Sequence, residues 1–181
     1  MFLSPDPNTA TASQPGVFAL VPLVADAVKV PVVAAGGIAD ARGIAAAFAL
    51  GASGVQIGTG YLLCPEAATS NFHRDAIRHA HVDSTVLSNL FTGRPARVLA
   101  SRLTREIGPM LDAVPDFPLP LGTLLPLISQ AEQRDINDFS PLWSGEAAAL
   151  ARDLPGQRLT VELAKGALER FKRLSPGWRA A

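Results

Sequence analysis

The sequence predicts an α/β protein built on parallel strands, and two observations carry that prediction. The first is the block VPVVAAGGIADARGIAAAFALGASGVQIGTG, residues 30–60, which reads as strand, glycine turn, helix, strand and second glycine turn. Two parallel strands need a crossover of about a dozen residues or more, and a helix is its usual form. The second is a change of texture: from Leu62 to about Gly145 the strand and helix alternation stops, and two helical patterns close the chain. The long middle stretch reads as an inserted, mostly helical subdomain or lid. The expected organisation is therefore 1–62 for the β/α units, 63–144 for the subdomain and 145–181 for the closing helices.

In chain order, MFLSPDPNTATASQPG is a polar loop with no basic region leading into an apolar run, so a secretory signal is not expected. From Val17 to Val28, Phe18, Val21, Val24, Ala25 and Val28 recur at helical spacing, with Pro22 near the first turn, where its missing N–H does least harm. Lys29 to Ala35 is a run of β-branched and small residues, the pattern of a parallel strand covered on both faces. Asp40 is suited to cap a helix Ala41–Leu50, Gly51 to end it, and Ile44 and Phe48 to face the sheet. Gly54 to Ile57 gives the second strand. In the middle stretch helices are expected around Ser70–His79, Ser84–Phe91 and Val98–Ile107, followed by the proline-rich VPDFPLPLGTLLP. GEAAALARDL and LTVELAKGALERFKRL read as the last two helices, divided by Pro155-Gly156.

Composition narrows the function classes. The 181 residues are 48% hydrophobic, enough for a real core, and Lys plus Arg equals Asp plus Glu at 16 each. No basic surplus points to nucleic acid. A single cysteine, Cys64, rules out an intrachain disulfide or a cysteine-rich zinc site and fits a reducing, cytoplasmic setting. No uninterrupted apolar run reaches about eighteen residues, so no spanning helix and no membrane partner are expected.

The glycines pose the functional question. A glycine turn at the C-terminal end of a parallel strand lets backbone approach a ligand, and the following N–H groups, with the positive end of the next helix, favour an anion. Two adjacent strands ending this way can share one phosphate, as happens after the last two strands of β/α barrels. The plain alternative is that Gly36-Gly37 and Gly58 only make tight βα turns.

The block AAGGIADARGIAAAFALGASGVQIGTGYLL closely resembles the flavin-binding segment of the nitronate monooxygenase family, formerly 2-nitropropane dioxygenases, which includes flavin-dependent enoyl-acyl-carrier-protein reductases. TVLSNLFTGRPARVLASRLTREI resembles that family's inserted subdomain, and PLWSGEAAALARDLP the approach to its closing helices. The resemblance implies the C-terminal part of an FMN-dependent TIM (β/α)8 barrel whose last two strands hold the flavin phosphate. It places Gly37 in the first turn and Gln56, Ile57, Gly58 and Thr59 in the second; N–H groups of Gly36, Gly37, Gly58 and Thr59, with the Thr59 hydroxyl, are suitable phosphate donors. Gln56 has the alternative of bonding a neighbouring strand inside the barrel. Gly60 stands where the family often carries a bulkier, basic residue.

The implied activity is oxidation of alkyl nitronates or nitroalkanes with dioxygen; reduction of an enoyl thioester or a quinone is the enzymatic alternative. The family's base, a histidine on a glycine-rich turn, lies upstream of a stretch resembling FLSPDP, so no residue of this chain is assigned as catalytic. A complete barrel uses about 250 residues. The expectation is thus a truncated form lacking the N-terminal barrel strands, or a non-catalytic fragment or half-barrel that needs a partner. His73, His79 and His81 lie after the last strand at spacings that suit neither one helix face nor a metal site. Arg94 and Arg97 are read as structural rather than active-site charges, Trp143 as core packing rather than a flavin cover, and Trp178 as peripheral.

Overall fold

The computed structural model describes residues 14–174. The FLSPDP stretch and Trp178 lie outside the described residues. Two compact units divide the chain, one formed by residues 71–146 and the other by Pro15–Ser70 with the segment from Ala147 onward. Both mix helix and strand, and the α/β class read from the sequence holds.

The second of these is the β/α unit. It runs α1 (Val17–Ala27), β1 (Val33–Ala35), α2 (Ala41–Ala49), β2 (Gly54–Gln56), a 3₁₀ turn (Thr59–Tyr61) and, after the excursion, the long closing helix α6 (Gly156–Leu174). β1 and β2 pair in parallel, Val33 opposite Gly54 and Ala35 opposite Gln56, so the expected βαβ crossover is present. Asp40 caps α2, as the sequence suggests. At the other end Gly51, at φ +97, donates to the Phe48 carbonyl and Ala52 to the Ala47 carbonyl, which is the Schellman arrangement. Pro22 lies in the second turn of α1, inside the helix rather than near its start, and there removes the N–H that would bond the Phe18 carbonyl.

One core fills the space between strands and helices, with Val21, Ala34, Ile44, Ala47, Cys64, Leu159, Leu163 and Ala167 among its buried members. α2 and α6 approach closely because residue 166 is glycine; a Cβ there would stand 2.8 Å from that of Ala41. Phe48 lines a groove together with Ile44, Val55 of β2 and Ile57. It packs edge-on against Phe171 of α6, ring centroids 5.8 Å apart, and stays partly exposed. The strand expected over Lys29–Ala35 is shorter and is covered on one face only: Ala34 is buried, while Val33 is 59% exposed, because no described element packs on that side.

The unit 71–146 contains α3 (Asn71–Arg78), β3 (Thr85–Ser88), β4 (Ala96–Leu99), α4 (Arg102–Glu106) and α5 (Leu119–Glu132). Here two expectations are corrected. Ser84–Phe91 is a strand and turn rather than a helix, and the start of Val98–Ile107 is strand β4; the two pair antiparallel, Thr85 opposite Leu99 and Ser88 opposite Ala96. β-branched Thr85, Val86 and Val98 fit a paired pleat, and pairing partners decide such segments more than helical spacing does. The proline-rich stretch is helical from Leu119: Pro120 falls where the N–H has no helical partner, and Ile128 and Ala131 bury one face. Beyond this unit, GEAAALARDL forms only the 3₁₀ turn Ala148–Leu150, since the chain extends at Ala151 (φ −65, ψ 143) before a second turn can form.

Candidate functional site

The register of β1 and β2 sets Ala35 beside Gln56, and each strand then enters its glycine turn. Gly36 and Gly37 have φ of +103 and +68, a backbone that an L side chain rarely adopts. Around Gly37 there is space for a Cβ, so it is the conformation rather than crowding that calls for glycine. Ile38 and Ala39, 8% and 3% exposed, anchor the turn in the core.

Asp40 follows at once. Its Oδ1 accepts the Arg42 N–H at 2.8 Å and the Gly43 N–H at 3.2 Å, and its carboxylate also pairs with the Arg42 guanidinium. Burial on its own would raise the Asp40 pKa, but those hydrogen bonds outweigh it and hold the carboxyl below its ordinary range. The positive end of α2, expected to help hold an anion, therefore already faces a carboxylate. The turn N–H groups ahead of the helix are left to serve any ligand.

In the second turn Gln56 is exposed at the end of β2, whereas Ile57 packs against the core and has only its backbone to offer. Gly58, at φ −99 and ψ −77, has no heavy atom within 4 Å of where a Cβ would sit. Its carbonyl accepts the Tyr61 N–H at 2.9 Å, and that of Thr59 accepts Leu62 at 3.1 Å, which fixes the 3₁₀ turn. The Gly37 and Gly58 N–H groups find no acceptor among the described residues. Gly60 is buried, its Cβ position 3.5 Å from the Ala39 Cβ, so the two turns pack against each other. The structure thus brings Gly36, Gly37, Gln56, Ile57, Gly58 and Thr59 together at one end of the sheet. Gly60 acts as the spacer between the turns, a role its sequence does not disclose.

Two supports of this end also escaped sequence reasoning. Both carboxylate oxygens of Glu66 accept the Gly156 N–H at 3.1 Å, capping α6 from 90 positions away, and the Tyr61 hydroxyl meets Thr160 Oγ1 at 2.8 Å. The Gly156 N–H lowers the Glu66 pKa. No local pattern announces a cap delivered from so far along the chain.

The other singled-out residues lie in the unit 71–146. His73, half-buried on α3, has its pKa lowered by burial, partly offset by a hydrogen bond to the Trp143 backbone. His79 Nδ1 lies 2.8 Å from the Asp75 carbonyl, and His81 is exposed. No group of metal-ligating side chains is present among the described residues. Arg97 pairs with Glu146 at 2.7 Å and reaches Thr85, Arg94 lies over the Phe117 ring at 4.7 Å, and Trp143 sets its edge against buried Phe91. The Arg97 pair with an acidic residue is of the kind the sequence suggests, whereas Trp143, expected in the core, is 36% exposed and touches the core only by its contact with Phe91.

The family model described as nitronate monooxygenase matches residues 4–166. This chain belongs to the nitronate monooxygenase family. It is 42% identical to the nitronate monooxygenase of Pseudomonas aeruginosa over 80% of its own length and 41% of the relative's, and 34% identical to a probable nitronate monooxygenase of Staphylococcus saprophyticus over 87% and 44%. Among solved structures it is similar to a nitroalkane oxidase from Streptomyces ansochromogenes, with a TM-score of 0.85 and 35% identity over 93% of this chain and 48% of that one. FabK from Thermotoga maritima is also similar, with a TM-score of 0.70, 29% identity and coverage of 90% and 52%. The chain spans less than half the length of the curated family members it matches. No described helix is long and apolar enough to cross a membrane.

Proposed function

We propose that this chain carries the phosphate-holding end of the flavin site in an FMN-dependent nitronate monooxygenase, acting on alkyl nitronates or nitroalkanes with dioxygen. The observation that carries the reading is the pair of packed turns at the strand ends, each presenting an exposed N–H group with no acceptor among the described residues. Membership of the family and the likeness to a nitroalkane oxidase support the substrate class.

The fit to a flavin phosphate rests on donor chemistry. Backbone N–H groups of Gly36, Gly37, Gly58 and Thr59 and the Thr59 hydroxyl would hold the dianion, while Gly58, open where a side chain would stand, lets it approach. FMN, when bound, supplies the redox chemistry. The packed Ala39–Gly60 contact keeps both turns in register, so the donors are set before the ligand arrives. In this reading β1 and β2 are the last two strands of a β/α barrel, and proton removal from the substrate carbon is assigned to no residue of this chain. The likeness to FabK favours a second reading, in which the same phosphate site serves a flavin-dependent reductase of enoyl thioesters.

Titration of FMN into the purified chain, followed by quenching of flavin fluorescence, tests the site. Gly58→Asp adds a negative charge in open space without positive-φ strain, and is expected to weaken binding at least about tenfold, the equivalent of about 1.4 kcal/mol. Equal quenching by both proteins would remove the phosphate assignment.

A further inference from the structure

The unit 71–146 contains an apolar concavity that the flavin reading does not use. A pocket of about 200 Å³ lies between α4, α5 and the loop 107–115. Leu90, Leu103 and Pro120 are its buried members, Val114 and Leu124 are half-buried, and Ile107 and Leu111, 51% and 37% exposed, stand at its open side. Every lining side chain except that of Thr123 is hydrocarbon, and the Thr123 hydroxyl donates to the Leu119 carbonyl of its own helix at 3.5 Å.

Protein interiors rarely keep a void larger than a water molecule, because the surrounding side chains and loops close over it. Here the loop that could close is pinned at two points. The Asn89 N–H donates to the Pro109 carbonyl at 3.3 Å, and the Asn89 side chain donates to the Leu111 carbonyl at 2.9 Å and accepts the Leu111 N–H at 3.0 Å. Farther along, the backbone of Pro115 and Asp116 presses against Gly93, where at φ +82 a Cβ would stand 2.5 Å from the Pro115 carbonyl oxygen. Both pins belong to one turn, since the Gly93 N–H donates to the Asn89 carbonyl at 2.8 Å. The pocket is therefore preformed.

Its lining decides what it can hold. A water molecule in a cavity needs about two to four polar partners, and the side chains here offer one hydroxyl that is already donating. A charged group would lose its hydration and meet no counter-charge in the lining. The size is below the roughly 300 Å³ at which sites for drug-sized ligands begin, and somewhat above the about 150 Å³ of an apolar cavity that takes benzene. We propose that this pocket is a binding site for an uncharged hydrocarbon group of the size of a substituted benzene ring, entering past Ile107 and Leu111. The site is independent of the flavin reading.

The test uses the full chain, without flavin, carrying ¹³C-labelled Leu, Ile and Val methyl groups, with toluene as the probe. The methyl signals of Leu90, Leu103 and Leu124 should move along one saturable curve, while those of Leu159 and Leu163 in the β/α unit stay in place. Benzoate, the same ring with a charge, should bind at least about tenfold more weakly, a comparison that needs no variant. Ile107→Asp with Thr123→Asp, both at exposed positions, brings charge to the mouth of the pocket. That pair should weaken toluene binding at least about tenfold and leave the far-ultraviolet circular dichroism unchanged.

Toluene that leaves the three methyl signals in place, moves those of both units alike, or binds no better than benzoate would overturn the site. So would methyl shifts that follow protein concentration without toluene, because the pocket would then be a contact between copies of the chain.

Discussion

The two units solve the same problem, hiding strands from water, in opposite ways. In the unit 71–146 an antiparallel pair is joined by the short Asn89–Pro95 connection, and its core seals Phe91 and Val98, both 0% exposed. The Asn89 side chain both donates to the Leu111 carbonyl and accepts the Leu111 N–H, tying the next loop down. In the β/α unit the strands are parallel, Ala34 is buried on one face, and Val33 on the other is exposed among the described residues. An antiparallel hairpin can complete itself locally, whereas a parallel pair depends on distant partners. The unit with the exposed strand face is also the one that carries the glycine turns.

Breaking the closed core should have the largest effect. Phe91→Ala is expected to cost about 3–5 kcal/mol, the range for an aromatic removed from a sealed site. The loss should be visible as early unfolding reported by Trp143 fluorescence in a denaturant titration. In the β/α unit the tightest point is the contact between α2 and α6. Gly166→Leu forces a side chain against the Ala41 Cβ and should cost about 1–3 kcal/mol, read by far-ultraviolet circular dichroism on heating.

Arg97→Ala removes the pair with Glu146, whose carboxylate is 66% exposed, so at most about 1 kcal/mol is expected, declining with added salt. Glu66→Gln sharpens the comparison through pH. The Glu66 pKa is lowered in the folded chain, so its contribution is full above the unfolded value of about 4.3 and is lost as pH falls through the folded value. Melting curves of wild type and variant should differ slightly at neutral pH and converge in acid.

Legibility in the sequence followed the range of the interactions. The βαβ crossover, the Asp40 cap and the Gly51 stop depend on residues a few positions apart, and all were readable. β3 and β4 were misread because a strand such as TVLS is recognised by its partner ARVL, and helical spacing in either segment alone is ambiguous. α5 was hidden by its prolines, since burial of Ile128 and Ala131 outweighs the hydrogen bond lost at Pro126. At the site, glycine identities marked the turns, but the Ala39–Gly60 contact that joins them and the long-range Glu66 cap came only from the fold.

The central claim is that the two turns form one anion site through their backbone N–H groups. Its most direct test is a titration of inorganic phosphate into the ¹⁵N-labelled chain, followed by amide chemical shifts. The amides of Gly37 and Gly58 should move together along one saturable curve, with those of the hairpin unit unaffected. If those two amides stay in place while phosphate shifts others, the turns do not form an anion site.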